Sequence, residues 1–141
     1  MAVQLNPYLG FKDNTREAMT FYQTVFGGTL DLNTFGDSHA SEDPAEKDKI
    51  MHAMLRGDNG VVFMASDTPN AMEYKAGASI SMSLSGDDET LLRGYYDKLS
   101  VGGTVVMPME KAPWGDIFGM ITDKFGTNWM VDISPAVTDP A

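Results

Sequence analysis

Hydrophobic and polar positions alternate in two stretches near the C-terminus, residues 118–122 (FGMIT) and 128–133 (NWMVDI). A period of two marks a strand with one face buried. Between them stands Asp123-Lys124-Phe125-Gly126, whose glycine supplies the positive φ that tight turns commonly need. Residues 114–133 (WGDIFGMITDKFGTNWMVDI) therefore predict a β-hairpin. The same pattern occurs earlier as HAMLRGDNGVVFMASD, residues 52–67, at a constant offset: Met54 aligns with Met120, Gly60 with Gly126 and Met64 with Met130. Strands are expected there over 51–56 and 61–66.

The pattern upstream of each hairpin repeats as well. Residues 8–12 (YLGFK) read as a short strand after Pro7. Asn14 is placed as a helix N-cap, with Glu17 three residues on to complete a capping box. Ala18, Phe21, Tyr22, Val25 and Phe26 follow at helical spacing, and Gly27-Gly28 ends the run. Residues 29–35 alternate as a strand. In the second half, residues 80–85 form a strand. Asp87 or Asp88 caps a helix carrying Leu91, Leu92, Tyr95 and Leu99, Gly102-Gly103 stops it, and residues 104–107 form the next strand. DNTREAMTFYQTVF-GGT and DDETLLRGYYDKLSVGGT match at Asp13/Asp87, Phe21/Tyr95, Tyr22/Tyr96 and Gly-Gly-Thr. The chain thus reads as an α+β protein of two tandem βαβββ modules, 7–67 and 79–134, joined by a linker over 68–78 within one domain, 1–141. A repeat this long is one supersecondary unit copied once rather than a solenoid repeat. Alternation along its strands predicts a curved mixed sheet, one face on the helices and the other lining a concave surface.

Composition narrows the partners. The 141 residues carry a net charge of −10, from 20 acidic against 10 basic side chains, which disfavours nucleic acid and anionic membranes. No apolar run approaches the roughly 18 residues of a membrane span. MAVQLNPYLGF has no basic region followed by an apolar core, so no secretory signal is expected. The chain has no cysteine, which removes disulfides, thiolate nucleophiles and cysteine-ligated metals. A cytoplasmic location is expected. The polar stretch at 36–49 (GDSHASEDPAEKDK) is the longest loop, with one helical turn feasible in DPAEKDK; it is either a solvated connection or a flap over a pocket.

PYLGF near the start, REAMTFYQTVFGG, IMHAML, FMASD and WGDIFGMITDKFGTNWMV together resemble the vicinal oxygen chelate superfamily, which includes glyoxalase I, bleomycin-resistance proteins and extradiol dioxygenases. The PhnB-like branch is the nearer likeness, and the resemblance covers the chain from about Pro7 to Ile133. It implies the glyoxalase/bleomycin resistance-type fold and a homodimer. Metal-dependent members hold a divalent ion with His and Glu side chains from the first and last strands of each half. Carried over, those positions fall near Tyr8, Met64 and Met130, with the fourth within residues 81–83. None is His, Asp or Glu, and a thioether is a poor ligand for hard or borderline divalent ions. No metal and no cofactor are therefore expected, nor is a glycine-rich phosphate loop present.

What remains is a small-molecule site whose ligand the residues do not name. His52 shares a strand face with Met54 and Arg56 and is the candidate general base or ligand-orienting group, or else a histidine bonded to a neighbouring strand or the adjacent loop; the other histidine, His39, lies in the polar loop. Tyr8, Trp114, Phe118 and Trp129 are candidate aromatic walls, or core. Eleven methionines, Met54, Met64 and Met130 among them, suit an adaptable apolar lining. Asp116 and Asp132 are the nearest acids, free to pair with Arg56 or to sit in water. The leading expectation is a binding protein of the PhnB-like branch without the usual metal. The rival is a glyoxalase- or dioxygenase-like enzyme with a relocated metal or with His52 as base. A third possibility is a structural module whose concave face is filled by its own side chains.

Overall fold

The computed structural model describes residues 5–37, 44–70, 72, 74, 77 and 80–134. Contacts group the chain into two compact units, Met1–Ala76 and Gly77–Ala141. The first holds β1 (Tyr8–Phe11), α1 (Thr15–Phe26), β2 (Thr29–Thr34), β3 (Ile50–Arg56) and β4 (Val62–Asp67). The second holds β5 (Met82–Gly86), α2 (Glu89–Ser100), β6 (Thr104–Lys111), β7 (Ile117–Thr122) and β8 (Asn128–Ile133). Each unit is one βαβββ module. Their sheets run β1-β4-β3-β2 and β5-β8-β7-β6, with the first pair parallel and the others antiparallel.

The duplication holds at the level of register. Met54 faces Met64 across one hairpin and Met120 faces Met130 across the other. The glycine pairs explain why the helices stop where they do. A Cβ on Gly28 would lie 2.0 Å from the Arg56 carbonyl oxygen, and one on Gly103 would lie 2.3 Å from that of Thr122. Arg56 and Thr122 occupy equivalent positions in the two hairpins, so each helix end passes over its hairpin with room for glycine alone.

One layer of core lies between each helix and its sheet. Tyr22 and Phe26 from α1 set their rings edge-on to Phe63, at 5.5 and 6.1 Å between centroids, in the tilted geometry aromatic pairs favour. In the second unit Leu92, Tyr95, Tyr96 and Leu99 pack on Ile121, Trp129, Val131 and Ile133, all buried. Trp129 is only 1% exposed. Of the two readings of Trp129, pocket wall or core, the structure gives core, since its period-two position puts it on the helix side.

Three expectations change. Asn14 makes no side-chain cap hydrogen bond, so the capping box with Glu17 is not what holds the start of α1. The Thr15 amide instead donates to Asp67 Oδ1 at 3.0 Å, a cap supplied by the end of β4. Asp88 does cap α2, accepting from the Leu91 amide at 3.1 Å. The strand at 104 runs on to Lys111, through two register irregularities against β7. Residues 44–48 form turns without a helix. No helix among the described residues is long and apolar enough to cross a membrane.

Candidate functional site

Each sheet turns one face to its helix and leaves the other open, and the candidate residues gather on the open faces. In the first unit, registers align Tyr8, Met64, Met54 and Asp31 in one row across four strands. His52 stands in the next row, opposite Asn33. The Tyr8 ring, half exposed, lies 6.0 Å from the imidazole at a tilt of 54°. Arg56 extends along the same face and its Nη1 lies 3.0 Å from Asp31 Oδ2. Both side chains are more than half exposed, which limits such a pair to about 1 kcal/mol or less. Tyr8, His52, Met54, Arg56 and Met64 are therefore brought together on one face, with Arg56 engaged by Asp31.

The imidazole of His52 has no hydrogen-bond partner among the described residues, and no carboxylate orients it. The groups on this face can stack on a flat ligand, contact it with thioethers and donate one hydrogen bond from a ring nitrogen.

The open face of the second unit carries Met130, opposite both Ser83 and Met120, with Met107 next across β7. Ser83 pairs with Met130 as Tyr8 pairs with Met64, which places the fourth carried-over position at Ser83. The neighbouring row runs Ser85, Asp132, Phe118 and Glu110. Trp114, 63% exposed, sets its ring edge-on to Phe118 at 5.7 Å. Trp114, Phe118 and Met130 are thus on one surface.

Asp132 on this face has a displaced pKa. Burial pushes its carboxyl above the ordinary value of 3.8, and a hydrogen bond to Asp116 together with that residue's charge pushes it further. In this arrangement the protonated Asp132 donates to Asp116, and the Ser134 hydroxyl also reaches Asp116, at 3.5 Å. Asp132 Oδ1 is buried without a partner among the described residues. The unfolded chain releases this proton near 3.8, whereas the folded chain holds it to higher pH. The protonated pair therefore contributes stability that is complete below 3.8 and is lost as pH rises through the folded pKa. Asp132→Asn is expected to be more stable than the natural chain at pH 7, with the difference closing below about pH 3.5. Urea unfolding at both pH values measures it, and an equal difference at the two would contradict the assignment.

A cleft of about 700 Å³ opens elsewhere, at the N-terminal end of α1 against residues 45–50, lined by Asp13, Arg16, Glu17, Asp48, Lys49 and Asp67 among others. Pattern reading missed it because its walls come from two connections and the ends of three elements. Lys49 is its anchor, with Nζ 2.8 Å from Asp13 Oδ1 and 2.8 Å from Asn70 Oδ1. The hydrogen bond to Asp13 raises the Lys49 pKa; burial opposes it, and the charges of Asp13, Glu46 and Asp67 add to it. The Asn70 amide donates to buried Glu46 at 2.6 Å, and the Gly36 amide to the Lys47 carbonyl at 2.9 Å. The second end of the 36–49 loop is thus pinned. Residues 38–43, with His39, lie outside the described residues. No group of three His, Cys, Asp or Glu side chains suited to a metal occurs among the described residues.

Comparison with known families decides the lineage. The family model of the Glyoxalase/Bleomycin resistance protein/Dioxygenase superfamily matches residues 4–131. The chain belongs to this superfamily. Protein YjdN of Escherichia coli (strain K12) is 28% identical over 140 residues, covering 92% of this chain and 94% of that protein. The crystal structure of protein PA1353 from Pseudomonas aeruginosa superposes with a TM-score of 0.83 at 40% identity, covering 96% of this chain and 100% of that one. The PhnB protein of Bacillus cereus shares the fold, with a TM-score of 0.72 at 22% identity over 94% of this chain and 100% of that one. The glyoxalase/bleomycin resistance-type fold that the resemblance implied is the one these neighbours have.

Proposed function

We propose that this member of the superfamily is a small-molecule-binding protein of the PhnB-like branch that works without the divalent metal of its catalytic relatives. The supporting observation is the pairing of Tyr8 with Met64 and of Ser83 with Met130. These are the positions to which the resemblance assigns metal ligands. Here they offer a phenol, a hydroxyl and two thioethers, a set that suits stacking and apolar contact better than coordination of a hard or borderline divalent ion. The reading extends to a homodimer in the cytoplasm, by the same resemblance, without nucleic acid or membrane partners on grounds of charge. An enzyme using His52 as general base would need a group to orient the imidazole, and none is found among the described residues.

Methionine methyl resonances test the proposal, since Met54 and Met64 report on one open face and Met120 and Met130 on the other. Aromatic metabolites that bind are expected to shift at least one of these pairs and raise Tm. A ligand at a hundred times its Kd stabilises the native state by about 2.7 kcal/mol. A broad screen that moves neither pair would contradict the proposal. If a ligand is turned over, unchanged turnover in His52→Ala would remove that residue as base.

A further inference from the structure

We infer that the open face of the second unit is built for a small organic cation, a protonated or quaternary amine carrying an apolar ring. The inference rests on the small-molecule reading above and names the ligand class for one of its two faces. Three observations carry it. The Phe118 ring stands between Asp132 and Glu110 in a single row across three strands. The Trp114 ring meets it edge-on at 5.7 Å and is itself 63% exposed. Finally, the register puts no Lys or Arg on this face among the described residues: Ser83 and Ser85 stand on β5, Met130 and Asp132 on β8, Phe118, Met120 and Thr122 on β7, and Glu110 on β6.

The charges on this face lack a counterion. Asp116 and Asp132 have each other and the Ser134 hydroxyl, and no cation stands within ion-pair distance of Asp116, Asp132 or Glu110 among the described residues. Asp132 Oδ1 is buried and unpartnered. Two carboxyls in contact satisfy one another only by sharing a proton. A ligand ammonium group supplies the missing positive charge without that proton. Ring faces attract the same charge through their quadrupole, and the row of Met107, Met120 and Met130 beside them offers adaptable contact for the apolar remainder. An anionic ligand would meet the Asp116–Asp132 pair and Glu110 here, and a neutral one would leave them unmatched. Charge complementarity therefore selects the cation.

The test titrates the full chain with three probes of one size, 2-phenylethylamine, 2-phenylethanol and 3-phenylpropionate, following methionine methyl shifts. The amine is expected to move Met120 and Met130 and to bind at least about tenfold tighter than the alcohol, the order expected for one desolvated charge contact. Phenylpropionate is expected to bind weakest. Asp116→Asn with Asp132→Asn is expected to bring amine and alcohol together while leaving the alcohol unchanged. Glu110→Gln, on the sheet edge, gives the same sign with a smaller effect, about threefold, and serves should the double variant not fold. Equal binding of amine and alcohol at Met120 and Met130 overturns the cation class while leaving a ligand site in place. An amine that shifts only Met54 and Met64 overturns it too. Silence of both faces to all three probes overturns this inference and contradicts the small-molecule reading along with it.

Discussion

Asp67→Ala is expected to destabilise the first unit by about 3–5 kcal/mol, one of the two largest effects the structure foretells. Asp67 is 3% exposed at the end of β4. Its Oδ1 accepts the Thr15 amide at 3.0 Å and its Oδ2 the Ile50 amide at 2.8 Å. One carboxylate thus starts α1 and fixes the start of β3, joining three elements distant in sequence. Hydrogen bonds to a charged group contribute about 1.5–3 kcal/mol each, and a buried donor left without a partner incurs its full desolvation cost. The negative charge at the first turn of the helix adds about 0.3–1 kcal/mol through the helix dipole. Asp67→Asn keeps one oxygen as acceptor and is expected to lose about half as much. The chain's two tryptophans both lie in the second unit. Circular dichroism and amide exchange of α1 and β3 are therefore the appropriate readouts. A loss below about 1 kcal/mol in Asp67→Ala would contradict this role.

The second large effect centres on Trp129 and Asp123. Asp123, also 3% exposed, closes the β7–β8 turn by accepting the Phe125 amide at 2.9 Å and the Thr127 amide at 3.1 Å through Oδ1. Its Oδ2 takes the Trp129 indole N–H at 2.8 Å. Trp129→Phe deletes that donor and part of the largest buried side chain in the protein, at an expected cost of about 2–4 kcal/mol. Asp123→Ala releases three donors and is expected to cost as much or more. Because the two act through one bond, the double variant is expected to fall short of additivity by about 1–3 kcal/mol. Simple additivity in urea unfolding would show that the indole–carboxylate contact does not bear on the turn.

These two carboxylates show where sequence reading stops. The hairpins, the helices and their duplication were legible because hydrophobic period and glycine placement are local signals. β8 falls on the predicted 128–133, and Gly126 has the positive φ its turn required. Asp67 and Asp123 carried no local sign of burial, since an acid at a strand end or in a turn reads as solvated. Only the donors that converge on it give such a carboxylate its place, and those of Asp67 lie 17 and 52 residues away. Asn14 makes no side-chain cap bond, and the acceptor at the start of α1 is instead the distant Asp67, which takes the Thr15 amide.

The candidate site was legible by face and less so by partner. The resemblance supplied Tyr8, Met64 and Met130, while period two put His52, Met54 and Arg56 on one strand face. It could not assign Arg56 to Asp31 or join Asp116 to Asp132, since those contacts depend on which strands are neighbours. The position left within residues 81–83 became Ser83 only once the parallel pairing of β5 with β8 was seen.

The central claim is that residues on the open sheet faces bind a small molecule without the superfamily's divalent ion. Calorimetric titration of the full chain with Ni²⁺, Zn²⁺ and Fe²⁺ tests it most directly. The account predicts no stoichiometric binding tighter than the millimolar range, about −4 kcal/mol, and no change when Met64 and Met130 are replaced by leucine. One ion per chain bound at micromolar affinity or better would contradict it.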